Sequence, residues 1–344
     1  MRTLDLRTWV AIALSAALTW WFLKTVEWSM LSEAFLEVKV APVALASAML
    51  LGEFVMRAMR WKVLLRPVAP DARVRDLFAA TVIGAAANTL LPARAGELAK
   101  PLIAARKTDG VFTSVLVSTV VERVFDLVGL VSVLLLMSLV IPDETQLSAG
   151  DVELVHNLKL YGSALGIVGL LALGLFFALA TRGQNAKRIF ELIVSIAPPP
   201  LRRKFMELYD AAMAGLGGAR DRKALWQAPM WSLAIWFNGA VAIQVLFFAF
   251  DLDLPFGAAC FTAVAIALTV AVPQAPGFFG VFHVAIEKTL VLWQIDVAPA
   301  KAFAIVFWAV SFVPVTLVGL AALWREGLSL RGMWSERPER PEQA

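Results

Sequence analysis

Two short stretches combine residues able to hold a charged group with residues that break helices. The first, NTLLPARAGELAKP from Asn88 to Pro101, sets Asn88, Arg94, Glu97 and Lys100 around Pro92 and Gly96 inside an apolar segment. Arg94 and Lys100, with backbone amides left free where a new half-helix starts, could hold an anionic headgroup such as a phosphate. The plainer reading is a loop with an Arg94–Glu97 ion pair. The second stretch, VPQAPGFFGVFH from Val272 to His283, holds Pro273, Pro276, Gly277 and Gly280 and cannot form one continuous helix. Gln274 and His283 are the polar side chains near its tip, and both are candidate pathway residues, although a lone His is more often packed than reactive.

Two further groups lie within apolar runs. VERVFDLVGL, from Val121 to Leu130, carries Glu122, Arg123 and Asp126. Glu122 and Asp126 share a helical face, and Arg123 and Asp126 are spaced to pair. A structural ion pair, a place in a pathway and a proton relay are all open to these residues. Glu53 and Arg57 are also spaced i, i+4, whereas Arg60 and Trp61 are expected to snorkel at the cytoplasmic interface.

The elements that position these residues must be membrane helices. Among 344 residues, 60% are hydrophobic and 17% charged, and the mean hydropathy is +0.74, so one soluble core could not hide the apolar surface. Runs long enough to cross a hydrocarbon layer of about 30 Å occur near 8–26, 41–60, 111–141, 155–181, 227–250 and 298–324. The first of these reads as a retained helix, not a cleaved signal. Stretches 76–105 and 255–295 are split by Pro and Gly into halves, at least one of them short for a crossing. The expected fold is therefore an all-α polytopic membrane protein of about six full transmembrane helices and two re-entrant helical hairpins.

Lys and Arg fall in blocks between the apolar runs, after 60, after 105 and over 182–223, while Glu and Asp dominate 27–37, 142–153 and 251–253. Retention of basic loops in the cytoplasm puts both termini inside, opens the first hairpin inward and opens the second outward. Span, hairpin and span thus recur in opposite orientation over 41–141 and 227–324. This is an inverted repeat of the kind that builds a midplane site from broken helices. Residues 1–330 form one membrane domain, with an interfacial linker at 182–226 and a disordered cytoplasmic tail at 331–344. The net charge of +4 reads as topology, not nucleic-acid binding. With one Cys and two distant His, a metal centre is not expected, and no nucleotide, dinucleotide or nucleophile-elbow motif is present. No cofactor is implied.

The chain resembles the lysylphosphatidylglycerol synthase transmembrane-region family in RAMRW at 57–61, in the two broken stretches and in VERVFDLVGL. The resemblance implies a flippase-like protein of the bacterial inner membrane, with membrane lipids as partners and a lipid-synthesising enzyme as a further one. It also places polar motif residues at Asn88, Arg94, Glu97, Glu122, Arg123 and Asp126. Two positions depart from the family pattern: His283 where Glu is common, and Phe307–Trp308 where a Tyr-Arg pair is common. The soluble aminoacyl-transferase domain of two-domain members is absent from this chain. The expected function is movement of an anionic or phosphate-bearing lipid, not an enzymatic reaction. The alternative is an intramembrane enzyme or accessory subunit of lipid-linked glycan modification, using Glu97 or Glu122 as acid or base.

Overall fold

A computed structural model describes residues 36–91, 94–108, 110–138, 222–271 and 276–328, with a few isolated positions besides. The expected spans at 8–26 and 155–181, most of the linker, His156 and the tail from 331 lie outside these residues. So do Pro92, Pro273 and Gln274.

Eight helices account for most of the described chain. The first half contains α1 (Val40–Leu65), α2 (Val74–Leu90), α3 (Gly96–Thr108) and α4 (Phe112–Ser138). The second contains α5 (Arg222–Ala249), α6 (Phe256–Ala271), α7 (Val281–Leu292) and α8 (Val297–Arg325). No strand occurs among the described residues. Three segments, Val40–Leu65, Trp226–Ala249 and Val297–Arg325, are long and apolar enough to cross a membrane. Helix α4 has 27 residues, but Glu122, Arg123 and Asp126 interrupt its apolar run.

Both stretches expected to break do so. Helix α2 stops at Leu90 and α3 starts at Gly96. Helix α6 stops at Ala271, and a single 3₁₀ turn, Pro276–Phe278, precedes α7. These four helices have 17, 13, 16 and 12 residues, and each is therefore shorter than the roughly 20 residues a crossing needs. Left-handed backbone marks both breaks: Arg94 has φ 53° in the first, while Gly277, Phe278 and Gly280 have φ 80°, 56° and 86° in the second.

The two halves pack by one scheme. Helices α1 and α5 lie against each other, and every other principal helix contact has a counterpart when the halves are exchanged. Thus α2 packs on α8 as α6 packs on α4, α1 on α2 as α5 on α6, and α3 on α4 as α7 on α8. The hydrophobic core divides in the same way. One cluster, built on Trp61, Leu77, Ile83 and Ile103, lies mainly in the first half, and another, built on Phe247, Phe282, Phe303 and Phe307, lies mainly in the second.

Candidate functional site

The arms of the first broken pair touch at glycine. A Cβ on Gly96 would stand 1.8 Å from the carbonyl oxygen of Gly84 and 2.6 Å from Asn88 Oδ1, so only a bare α-carbon lets α2 and α3 cross this closely. Asn88 sits at the crossing, and its Oδ1 is buried with no hydrogen-bond partner among the described residues. Arg94 of the break and Gly96 and Glu97 at the start of α3 face the same cavity as Asn88.

Around that crossing the charged residues form one connected lattice. Arg60 on α1 donates from Nη1 to Asp126 Oδ1 and to Ser232 Oγ, each at 2.7 Å, while its Nη2 lies 3.6 Å from Glu122 Oε1. Lys100 on α3 donates to Glu122 and rests 4.2 Å above the Trp61 ring. Arg57 holds Glu53 at 2.6 Å and approaches Asp126 Oδ2 at 3.9 Å. Arg123 donates to Asp126 Oδ2 at 3.1 Å and to Glu97 Oε2 at 3.4 Å, and Arg94 reaches the other oxygen of Glu97 at 3.3 Å. Four carboxylates, Glu53, Glu97, Glu122 and Asp126, thus meet five cations, Arg57, Arg60, Lys100, Arg94 and Arg123. Counted as ionised, the lattice carries one surplus positive charge.

Exposure grades across it. The side chains of Arg60 and Glu122 are 1% exposed, whereas Arg94 is 33% and Arg123 51% exposed. Inside, Arg60 closes on Asp126 at 2.7 Å and Lys100 on Glu122, as charges removed from water need, while Arg60 Nε and Glu122 Oε1 have no hydrogen-bond partner among the described residues. At the outer edge two guanidinium groups share one carboxylate through long contacts, so their donors are only partly used.

This edge faces a cavity of about 720 Å³. Its charged lining residues, Glu53, Arg57, Arg94, Glu97, Lys100, Arg123 and Asp126, all come from α1, α3, α4 and the first break, and Asn88 joins them from α2. Ile266, Val270, Phe278, Phe282, Phe307 and Phe312 from the second half, with Leu50, Phe54, Val120, Val124 and Leu127 from the first, supply the apolar remainder. A cavity with both characters suits an amphiphile.

Sequence-predicted candidates separate accordingly. Arg57, Asn88, Arg94, Glu97, Lys100, Arg123 and Asp126 come together at the cavity, and Glu122 stands behind Lys100 as its partner. His283 is fully buried against Phe279, Phe282 and Trp308 and is not part of the lining. Arg60 and Trp61 correct an expectation: neither snorkels. Both are buried, Arg60 as the hub between Asp126 and Glu122, and Trp61 donating to Ser118 Oγ at 2.8 Å. Their signal was available, because Glu53, Arg57 and Arg60 recur at intervals of four and three along one helical face. Trp308, at one of the positions that depart from the family pattern, donates its indole N–H to the Gly277 carbonyl at 2.7 Å and so fastens the tip of the second break.

Broken helices around a charged interior cavity define an all-α membrane protein with a site inside the bundle. The chain belongs to the lysylphosphatidylglycerol synthase transmembrane-region family, whose model matches residues 8–319. It is 27% identical over 301 residues to glycosyltransferase AglD of Haloferax volcanii, covering 81% of this chain and 48% of AglD. The chain thus spans about half the length of that relative. It is 26% identical over 288 residues to a UPF0104 membrane protein of Methanothermobacter thermautotrophicus, covering 80% of this chain and 81% of the relative. A third relative, UPF0104 membrane protein MJ1078 of Methanocaldococcus jannaschii, is 24% identical over 67% of this chain and 90% of its own length. No solved structure matches the chain.

Proposed function

We propose that the protein carries a lipid with an anionic or phosphate-bearing headgroup between the leaflets of the bacterial inner membrane, without changing a covalent bond. The observation that carries this reading is the mixed lining of the 720 Å³ cavity, in which every charged side chain comes from the first half and the second half adds aromatic and aliphatic ones. Arg94 and Arg123 receive the phosphate, exchanging their shared long contacts to Glu97 for charge-assisted hydrogen bonds. The surplus positive charge of the lattice favours that exchange. Asn88 Oδ1, which lacks a partner, accepts from a hydroxyl or amine of the headgroup. Acyl tails stay with the apolar wall and the bilayer.

In this reading the broken pairs α2–α3 and α6–α7 are re-entrant hairpins of opposite orientation, and both termini are cytoplasmic. The exchange symmetry of the helix contacts and the basic loops support that topology. In vesicles reconstituted with the protein, labelled phosphatidylglycerol and a labelled polyprenyl phosphate are tested for transbilayer movement. At least one is accelerated by the wild type and not by Arg94→Ala. If no lipid of either kind moves faster than in empty vesicles, the transport reading falls.

The similarity to a protein named as a glycosyltransferase favours one alternative, in which the chain binds a lipid-linked sugar and serves a partner enzyme that builds or modifies it. Product analysis separates the two. A new lipid species that forms only when the protein is present supports chemistry, and unchanged lipid in the opposite leaflet supports transport.

A further inference from the structure

A second cavity, of about 320 Å³, lies between α4 and α5. Its walls are almost wholly apolar, with Gly129, Val133 and Leu136 on α4 facing Leu233, Phe237 and Ala240 on α5. Leu136, Leu233 and Phe237 are 40%, 42% and 54% exposed, so its rim merges with the apolar flank of two membrane helices. Trp236 lines this cavity and the central one alike, and it is the one residue common to the two linings. The ring lies across the bare face of Gly129, where a Cβ would be 2.0 Å from Cδ1. Its buried Nε1–H has no acceptor among the described residues. Buried indoles usually find one, and here no polar bond pins the ring in place.

We propose that the α4–α5 cavity is a berth for one hydrocarbon chain of the lipid whose headgroup occupies the central cavity, and that Trp236 is the partition between them. The inference rests on the lipid-handling reading above and deepens it. It fixes the ligand class as a membrane lipid bound at both ends, since a free phosphate or soluble headgroup would leave the α4–α5 cavity empty. Continuity decides the occupant: the cavity shares Trp236 with the central cavity, and its rim residues Leu136, Leu233 and Phe237 are exposed on the apolar flank of the helices. Apolar walls there gain nothing from water and match hydrocarbon. Displacement of the ring from Gly129 would join the two cavities, letting the chain remain in the bilayer while the headgroup moves within the bundle.

The test uses the full chain in vesicles of phosphatidylglycerol brominated at mid-chain, where bromine quenches indoles it touches. Trp236 emission is taken as the difference between wild type and Trp236→Phe. Ser132→Phe fills the cavity from α4, and Leu136→Phe narrows its rim should the first variant fold poorly. Bromine quenches Trp236 in the wild type and much less in the filled variant, and filling slows transbilayer movement about tenfold at unchanged melting temperature, as blocking a gated step does. Trp236 emission that is unquenched, or quenched equally in filled and unfilled protein, overturns the berth. Lost quenching with transport at the wild-type rate overturns its part in movement. Quenching reports chain occupancy whether or not lipid crosses, so quenching as expected without transport supports the berth and overturns the transport reading alone.

Discussion

The two broken helix pairs occupy equivalent places in one packing scheme yet carry opposite chemistry. Around α2–α3 the interior is a lattice of charges, and the break and the first turn of α3 contribute Arg94 and Glu97 to the cavity. Around the α6–α7 break it is aromatic: Phe278 stacks on Phe312 at 5.2 Å, Phe279 meets Trp308 edge-on at 5.0 Å, and Trp308 holds the Gly277 carbonyl. The second half does bury Glu287 and Lys301, but neither lines the cavity. An architecture used twice has therefore been given one polar half and one apolar half, which a symmetric carrier of small ions would not need. An amphiphile needs both.

The sharpest way to break the comparison is at the hub of the charged half. Arg60→Met leaves Glu122 and Asp126 without their central cation and costs about 3–5 kcal/mol, read as a large fall in melting temperature in detergent. A variant that melts like the wild type would mean that the lattice does not hold the first half together. Next is the crossing: Gly96→Ala forces α2 and α3 apart and lowers stability by about 1–3 kcal/mol. Unchanged stability and transport together would show that the close approach is dispensable.

In the aromatic half the counterpart effect is smaller. Trp308→Phe keeps the ring packing and removes the hydrogen bond to Gly277, a loss of about 1 kcal/mol. Thermal melting and the rate of amide exchange near 277 report it, and exchange as slow as in the wild type would contradict the tie. The smallest effect is expected outside both sites, where Lys39 and Asp251 pair with side chains 54% and 67% exposed. Asp251→Asn should change stability by less than about 1 kcal/mol. A larger loss would make that surface pair part of the framework.

Much of the frame was legible because its causes are local. Pro and Gly clustered within a few residues at 92–96 and 273–280 made the broken pairs legible, whereas Pro101, Pro229 and Pro314 stand inside helices, so residue type alone was not the signal. Glu53–Arg57 and Arg123–Asp126 followed from helical periodicity, and Arg94–Glu97 from proximity within a loop. The contacts that join these pairs into a lattice were not legible. Arg60–Asp126, Lys100–Glu122 and Arg123–Glu97 link residues 66, 22 and 26 positions apart, and helix packing alone brings them together. Lys100, expected to face an anion, spends its charge mainly on Glu122, a partner on another helix. The apolar wall was invisible for a related reason, since Phe307 or Phe312 has the same sequence signature in a core as on a cavity wall.

The central claim, that headgroup recognition belongs to the charged half alone, is tested most directly by lipid binding to Arg94→Gln/Arg123→Gln. Both residues are partly exposed and at the outer edge of the lattice, so the variant should fold with near-native stability. Binding of phosphatidylglycerol, measured by native mass spectrometry against phosphatidylcholine of the same chains, should weaken about tenfold or more, as expected from losing charge-assisted bonds to phosphate, and the preference for the anionic lipid should disappear. Wild-type affinity with the preference intact would contradict the account.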